Sequence, residues 1–169
     1  LFPRERIETV AAEALPGGKA QVLAAVRMPD GGAAHCAAVV NTMHGSCPGV
    51  SVELLTSDFS GNRNAIQQIT SAAPEVFGHN IETVARLHSV LRDPRASYTR
   101  SLDVLRLARE LLPAQCHVKS GLMVGCGETE AEVIEAMKDL LDAGCDAVTI
   151  GQYLKPSGGR FDVHEFITP

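Results

Sequence analysis

The sequence predicts an α/β fold of repeated parallel β–α units, and three observations carry that expectation. From about residue 50 onward, short β-type apolar runs alternate with longer stretches whose apolar residues recur at helical spacing. Helix ends are marked by capping and stop residues, and strand ends by polar or glycine-containing turns. The 169 residues, 45% of them hydrophobic, suffice for one core. A closed eightfold β/α barrel takes roughly 250 residues. The four or five strands countable here therefore fit an incomplete barrel or a small open sheet.

Strands are expected at Val50–Leu55, Val76–Ile81, His117–Val124 and Ala147–Leu154. The best-marked helix is Glu130–Ala143, where Val133, Ile134, Met137, Leu140 and Leu141 form one apolar stripe. Thr129 followed three residues later by Glu132 is a capping-box pattern, and Gly144 stands where a left-handed C-terminal cap belongs. A second helix is expected over Arg100–Leu112, stopped by Pro113, and a third over Ala33–Met43 after the turn Pro29-Asp30-Gly31-Gly32. Weaker patterns mark Arg63–Ser71 and Glu82–Leu91 as helices. Ala11–Ala14, Pro16-Gly17-Gly18 and Ala24-Ala25 give weak periodicity and no clear strand, so residues 1–27 read as a poorly defined N-terminal segment ahead of the β–α region 28–169.

Composition narrows the partners. Lys plus Arg number 15 against 20 Asp plus Glu, a formal charge of -5, which leaves no electrostatic footprint for nucleic acid or anionic membrane. The sequence has no apolar run of ~18 residues and no signal-peptide pattern, so the expected compartment is the cytosol. Residue 1 is Leu, which reads as a sequence cut from a longer chain. The five cysteines (Cys36, Cys47, Cys116, Cys126, Cys145) have no disulfide or ligand spacing and are expected to be small core residues.

In parallel β/α folds ligands gather at the carboxyl ends of strands, where loops vary and helix N-termini point inward. Four strand ends carry unusual residues. In Gly121–Glu128, Gly125 and Gly127 would let a ligand approach the backbone and Glu128 adds a carboxylate at a helix start; a plain tight turn with a capping acid fits as well. At His79–Thr83, Asn80 can donate and accept toward a carboxylate or ribose hydroxyl, or can merely end its strand; His79 by itself reads as a satisfied structural histidine. Lys119, on an otherwise interior strand, needs a partner or a function. It could form a Schiff base, hold a ligand carboxylate, or pair with Glu82 or Glu128. In Gly151–Ser157, Gln152 and Tyr153 offer polar tips for a heteroaromatic ring, or are ordinary strand-end residues.

These segments carry a resemblance. Val118–Glu128, reading V-K-S-G-L-M-V-G-C-G-E, resembles the lipoyl synthase segment with the radical-SAM pattern G-x-[ILM]-x-G-x-x-E. Pro29–His35, Phe77–Val84, Asp93–Tyr98 and Thr149–Ser157 resemble further segments of the same family, in the same order. The resemblance covers about residues 28–169 and implies a partial TIM-like (β/α) barrel of the radical SAM type, truncated on its N-terminal side. It also implies an activity: insertion of two sulfur atoms into a protein-bound octanoyl group, using S-adenosylmethionine (SAM) and two [4Fe-4S] clusters. The implied partner is an octanoylated carrier protein or lipoyl domain, and the implied compartment the bacterial cytoplasm, or a mitochondrion or plastid.

Carried over by position, Asn80 and Glu82 would meet polar groups of SAM, with Lys119 as a positioning charge. Gly121, Met123, Gly125, Gly127 and Glu128 would lie along its adenosine, and Gln152, Tyr153 and Leu154 would frame the adenine, all around one shared hollow. Arg92 and Arg95 would line the substrate side or serve as solvated helix-end charges. The departures are equally specific. The family's C-x-x-x-C-x-x-C cluster ligands, its auxiliary cysteines and its R-S-S-Y-like serine are not in this sequence, so no metal ligand is expected in it. Ala24-Ala25-Val26-Arg27-Met28 replaces an acidic D-R-D-D-L stretch, and Asp58-Phe59-Ser60-Gly61-Asn62 replaces D-F-R-G-D. The chain alone is therefore expected not to turn over. Two other readings stay open: a Schiff-base β/α lyase using Lys119, and a non-catalytic module that keeps part of a nucleotide cleft or a carrier-protein surface.

Overall fold

The computed structural model describes the backbone of residues 13–15 and 19–23, and residues 28–168 in full. The expectations placed on 1–12, 16–18 and 24–27, including the Ala24–Arg27 departure, lie outside the described residues. The element order is β1 (Glu13–Leu15), β2 (Lys19–Leu23), α1 (Ala33–Ser46), β3 (Ser51–Leu55), a 3-10 turn (Phe59–Gly61), α2 (Arg63–Ser71), β4 (Val76–Gly78), α3 (Ala85–Leu91), α4 (Tyr98–Leu111), β5 (His117–Val124), α5 (Glu130–Asp142) and β6 (Ala147–Gln152).

The six strands form one sheet in the order β1-β2-β3-β4-β5-β6. β1 runs antiparallel to β2, and every later neighbour is parallel. A parallel sheet whose spatial order follows the chain without reversal is wound in one sense, and right-handed crossovers then put all its helices on one face. A doubly wound sheet would instead reverse at a switch point. The choice between open sheet and incomplete barrel thus falls to the barrel: the helix-covered face is the wall, and the other is the lumen side.

Burial follows that division. Val52, Leu54, Phe77, Val118 and Leu122 alternate onto the helix side and pack there with Val40, Ile66, Ile69, Val104, Leu105 and Leu140. On the lumen side Glu53 and Lys119 are only part-buried, and their heads meet at 2.7 Å. Residues i and i+2 of a strand share a face, which puts Gly121 and Met123 on the same side as Lys119.

Several expectations need correction. The first thirty residues do contain strands, because β2 gains five parallel partners along β3, from Lys19 opposite Ser51 to Leu23 opposite Leu55. Its short sequence, K-A-Q-V-L, shows no alternation strong enough to be read without that neighbour. The helix expected from Glu82 starts at Ala85, since Glu82 has φ 68° and Val84 is extended. The strand expected to reach Ile81 leaves the ladder after Gly78, although His79 N still donates to Lys119 O (3.0 Å) and Glu82 N to Gly121 O (3.0 Å). In α5 the expected stripe is only partly inward: Leu140 is fully buried, while Ile134, Met137 and Leu141 are 44%, 43% and 70% exposed. Ala136 and Ala143 face the core instead. Of the cysteines, Cys36, Cys116 and Cys145 are buried as expected, but Cys126 is half-buried and Cys47 is exposed.

Candidate functional site

A cavity of ≈ 730 Å³ opens at the carboxyl ends of β3 and β4, within the roughly 300–1,000 Å³ of small-molecule pockets. Its floor is formed by Leu55, Thr56, His79, Asn80 and Glu82, and its walls by Met28–Gly31, Asp58–Ser60 and the segment Arg92–Ala96. Local chemistry fixes each wall. Asp30 accepts from Gly32 N and Ala34 N (both 2.9 Å) and so anchors the start of α1, which holds its carboxyl below the usual range. Phe59 packs on Gly31, where a Cβ would stand 2.8 Å from the ring. Burial raises the Asp58 carboxyl, but bonds from Ser60 N (2.9 Å) and Arg100 Nε (2.6 Å) outweigh it, and the net shift is downward.

His79 lies at the back of this cavity, 5% exposed. One ring nitrogen faces Thr56 O and the other Ser101 Oγ, each at 3.0 Å. Both nitrogens are engaged and burial pushes the imidazole below its ordinary value, so it is the satisfied structural histidine expected. Arg92 is different. Its guanidinium reaches Glu82 at only 4.0 Å, and its Nε is buried with no hydrogen-bond partner among the described residues. Arg95 is held by its own neighbour, with Nε and a terminal nitrogen on Asp93 at 2.8 and 3.0 Å, and extends into solvent.

The remaining sequence-predicted residues divide between the lumen and a neighbouring cluster. Gly121 belongs with Asn80: a Cβ on it would stand 3.0 Å from Asn80 Oδ1 and 2.7 Å from Thr149 Oγ1. Lys119 lies deeper on the same face, paired with Glu53 and not with Glu82 or Glu128. The sequence reading missed Glu53, whose alternation with buried Val52 and Leu54 would have placed it on the lumen side. It also missed Arg100 and Ser101, and named Asp58 only within a segment departing from the family, because their cavity roles depend on chain crossings that no local pattern shows.

Gly125, Gly127, Glu128, Gln152 and Tyr153 form the second cluster, at the ends of β5 and β6 and outside the lining of the main cavity. The single hollow expected for Asn80, Gly125 and Gln152 is therefore not observed. Glu128 turns back on its own loop, accepting from Gly125 N (2.5 Å) and Cys126 N (2.9 Å). The space above Gly125 is filled by the Gln152 amide and Glu165 O, and His164 stands 3.4 Å from a Cβ built on Gly127. Gln152 is not a free polar tip: its Oε1 accepts from Ile167 N (2.9 Å) and its Nε2 donates to Tyr153 O and Glu165 O (3.0 and 3.1 Å). Tyr153 OH donates to Phe161 O (3.1 Å), and Leu154 is 68% exposed.

Among the described residues no three His, Cys, Asp or Glu side chains gather closely enough to hold a metal ion. The side chains present therefore do not fit an iron–sulfur cluster. They do fit a polar organic ligand, since the cavity lining carries the Arg92 guanidinium, the Glu82 carboxylate and the Asn80 amide. No helix among the described residues is long and apolar enough to cross a membrane.

Comparison with known proteins agrees with this architecture. Residues 13–140 match the model of the Radical SAM superfamily. The chain is 52% identical over 142 residues to the lipoyl synthase of Caldanaerobacter subterraneus, covering 84% of this chain and 49% of the relative. It is 45% identical over 170 residues to the chloroplastic lipoyl synthase of Chlamydomonas reinhardtii, covering 99% and 39%. It is 43% identical over 142 residues to the apicoplast lipoyl synthase of Plasmodium knowlesi, covering 84% and 32%. The chain thus spans less than half the length of these relatives. On the strength of that match and the singly wound β/α sheet, the chain belongs to the radical SAM superfamily, in its lipoyl synthase family.

Proposed function

We propose that this chain supplies the cofactor-cradling part of a lipoyl synthase barrel, for insertion of two sulfur atoms into a protein-bound octanoyl group. The observation that carries the reading is the cavity at the strand ends, which Asn80, Glu82 and Arg92 line together, with Asn80 against Gly121. In this reading the amino-acid end of SAM lies against Asn80, Glu82 and Arg92, and the adenosine extends over Gly121 and Met123 toward the Gly125–Glu128 turn. Tyr153 and Leu154 border the adenine, with Gln152 behind them. Lys119, through Glu53, sets the charge of the lumen below; Arg92, which the resemblance put on the substrate side, is assigned here to the cofactor, and Arg95 faces the octanoylated carrier protein. Bound SAM would supply the radical that unactivated C–H bonds need once an electron from a reduced iron–sulfur cluster cleaved it, and the protein's part is to bind and orient it.

Among the described residues none fit an iron–sulfur cluster, so no step of C–H activation is assigned to them. The two clusters of the family would be held by residues that this sequence does not contain. The proposed compartment is a bacterial cytoplasm, with a mitochondrion or plastid as the second setting.

Calorimetry with SAM tests the cradle. The purified chain should bind it weakly, and Asn80→Ala or Arg92→Met should each weaken that binding about tenfold, the scale of one hydrogen bond to a charged group. Binding unchanged in both variants would refute the placement. The Schiff-base reading is disfavoured, because Lys119 Nζ is engaged with Glu53 Oε1 at 2.7 Å. Borohydride trapping with aldehydes should leave Lys119 unlabelled.

A further inference from the structure

We propose that Gln152 is a positioning residue whose side-chain amide latches the segment His164–Ile167 over the Gly125–Gly127 turn, closing the nucleoside end of the cleft. The latch stands on geometry alone. The closure rests on the cofactor reading above.

The Gln152 amide grips the segment at two backbone points, accepting from Ile167 N at 2.9 Å and donating to Glu165 O at 3.1 Å. Beside it, Gly125 O accepts from His164 N at 2.8 Å and from Glu165 N at 3.4 Å. Apolar packing adds only part of the anchorage, since Phe166 is 74% and Ile167 43% exposed. Gly125, at φ 91°, has no room for a Cβ precisely because Gln152 and Glu165 occupy that space. Its lack of a side chain therefore serves the latch, and the strap in turn fixes the turn on which Glu128 closes.

Amide hydrogen exchange and calorimetry with S-adenosylhomocysteine, on the purified chain and two variants, separate the claims. Gln152→Leu should lower protection of the 164–167 amides at least about tenfold while the α5 amides stay protected. It should weaken S-adenosylhomocysteine binding in parallel. Gln152→Glu should lose protection at neutral pH, where a carboxylate faces two carbonyl oxygens, and regain it on acidification, when the protonated acid can donate again. A side chain that merely fills space would show no such pH profile. Unchanged protection in Gln152→Leu overturns the latch. Protection lost with binding retained overturns the positioning role. A wild-type chain that is protected but binds no nucleoside overturns the cofactor reading, and with it the closure, while the latch stands.

Discussion

Glu128 does its work by turning away from the cleft. Its two oxygens gather the Gly125 and Cys126 amides, and Arg86 holds the next carbonyl, Gly127 O, at 2.8 Å. Hydrogen bonds to a charged group contribute roughly 1.5–3 kcal/mol each, and neighbouring ones do not add fully. Glu128→Ala should therefore cost about 2 kcal/mol in chemical denaturation and speed amide exchange at Gly125 and Cys126. His79 gives a pH test. Burial lowers its imidazole below the ordinary 6.5, so under acid the unfolded chain takes up a proton that the folded chain resists. Stability should fall as pH drops below 6.5, and His79→Gln should flatten that dependence. The sequence marks such residues as unusual but does not show their partners. Lys119 reads as a buried charge in need of a counterion, yet Glu53 is 66 residues away and on another strand. Gln152 looks like a free polar tip until the chain returns past it.

At the scale of elements, α5 shows where local signals suffice and where they do not. Its capping box forms as the sequence predicts, with Glu132 N donating to Thr129 Oγ1 at 3.3 Å and Thr129 N to Glu132 at 2.8 Å. Arg86 first, and then the Thr129 amide, depress the Glu132 carboxyl to about 2. A carboxyl lowered in the folded state stabilises above its ordinary 4.5 and loses that contribution as pH falls through about 2. The stability gap between wild type and Glu132→Gln should close over that window in acid unfolding. The stripe on α5 is legible as apolar, but its direction depends on which neighbours are present. Leu140→Ala should cost about 2–5 kcal/mol, while Ile134→Gln or Leu141→Gln should change stability by no more than ~0.5 kcal/mol, both read from denaturation midpoints. A comparable loss in all three would mean that the helix is turned otherwise. β2 is the converse case, a strand with no pattern of its own that is defined by pairing to β3.

For the molecule as a whole, sequential strand order puts the helices on one side and leaves a lumen face carrying Glu53, Lys119 and Asn80. Alternation of β and α segments made this fold class readable, and the strand-end motifs pointed to the family. What no motif could show is that the strand ends divide into an open cavity around Asn80 and Arg92 and a closed turn under the 164–167 strap. The central claim is that this chain cradles the sulfonium nucleoside but does not itself hold the iron that activates it. Anaerobic reconstitution of the purified chain with iron and sulfide, followed by an iron count, tests it most directly. The account predicts far less than one four-iron cluster per chain and no octanoyl-to-lipoyl conversion. Near-stoichiometric cluster loading together with that conversion would contradict it.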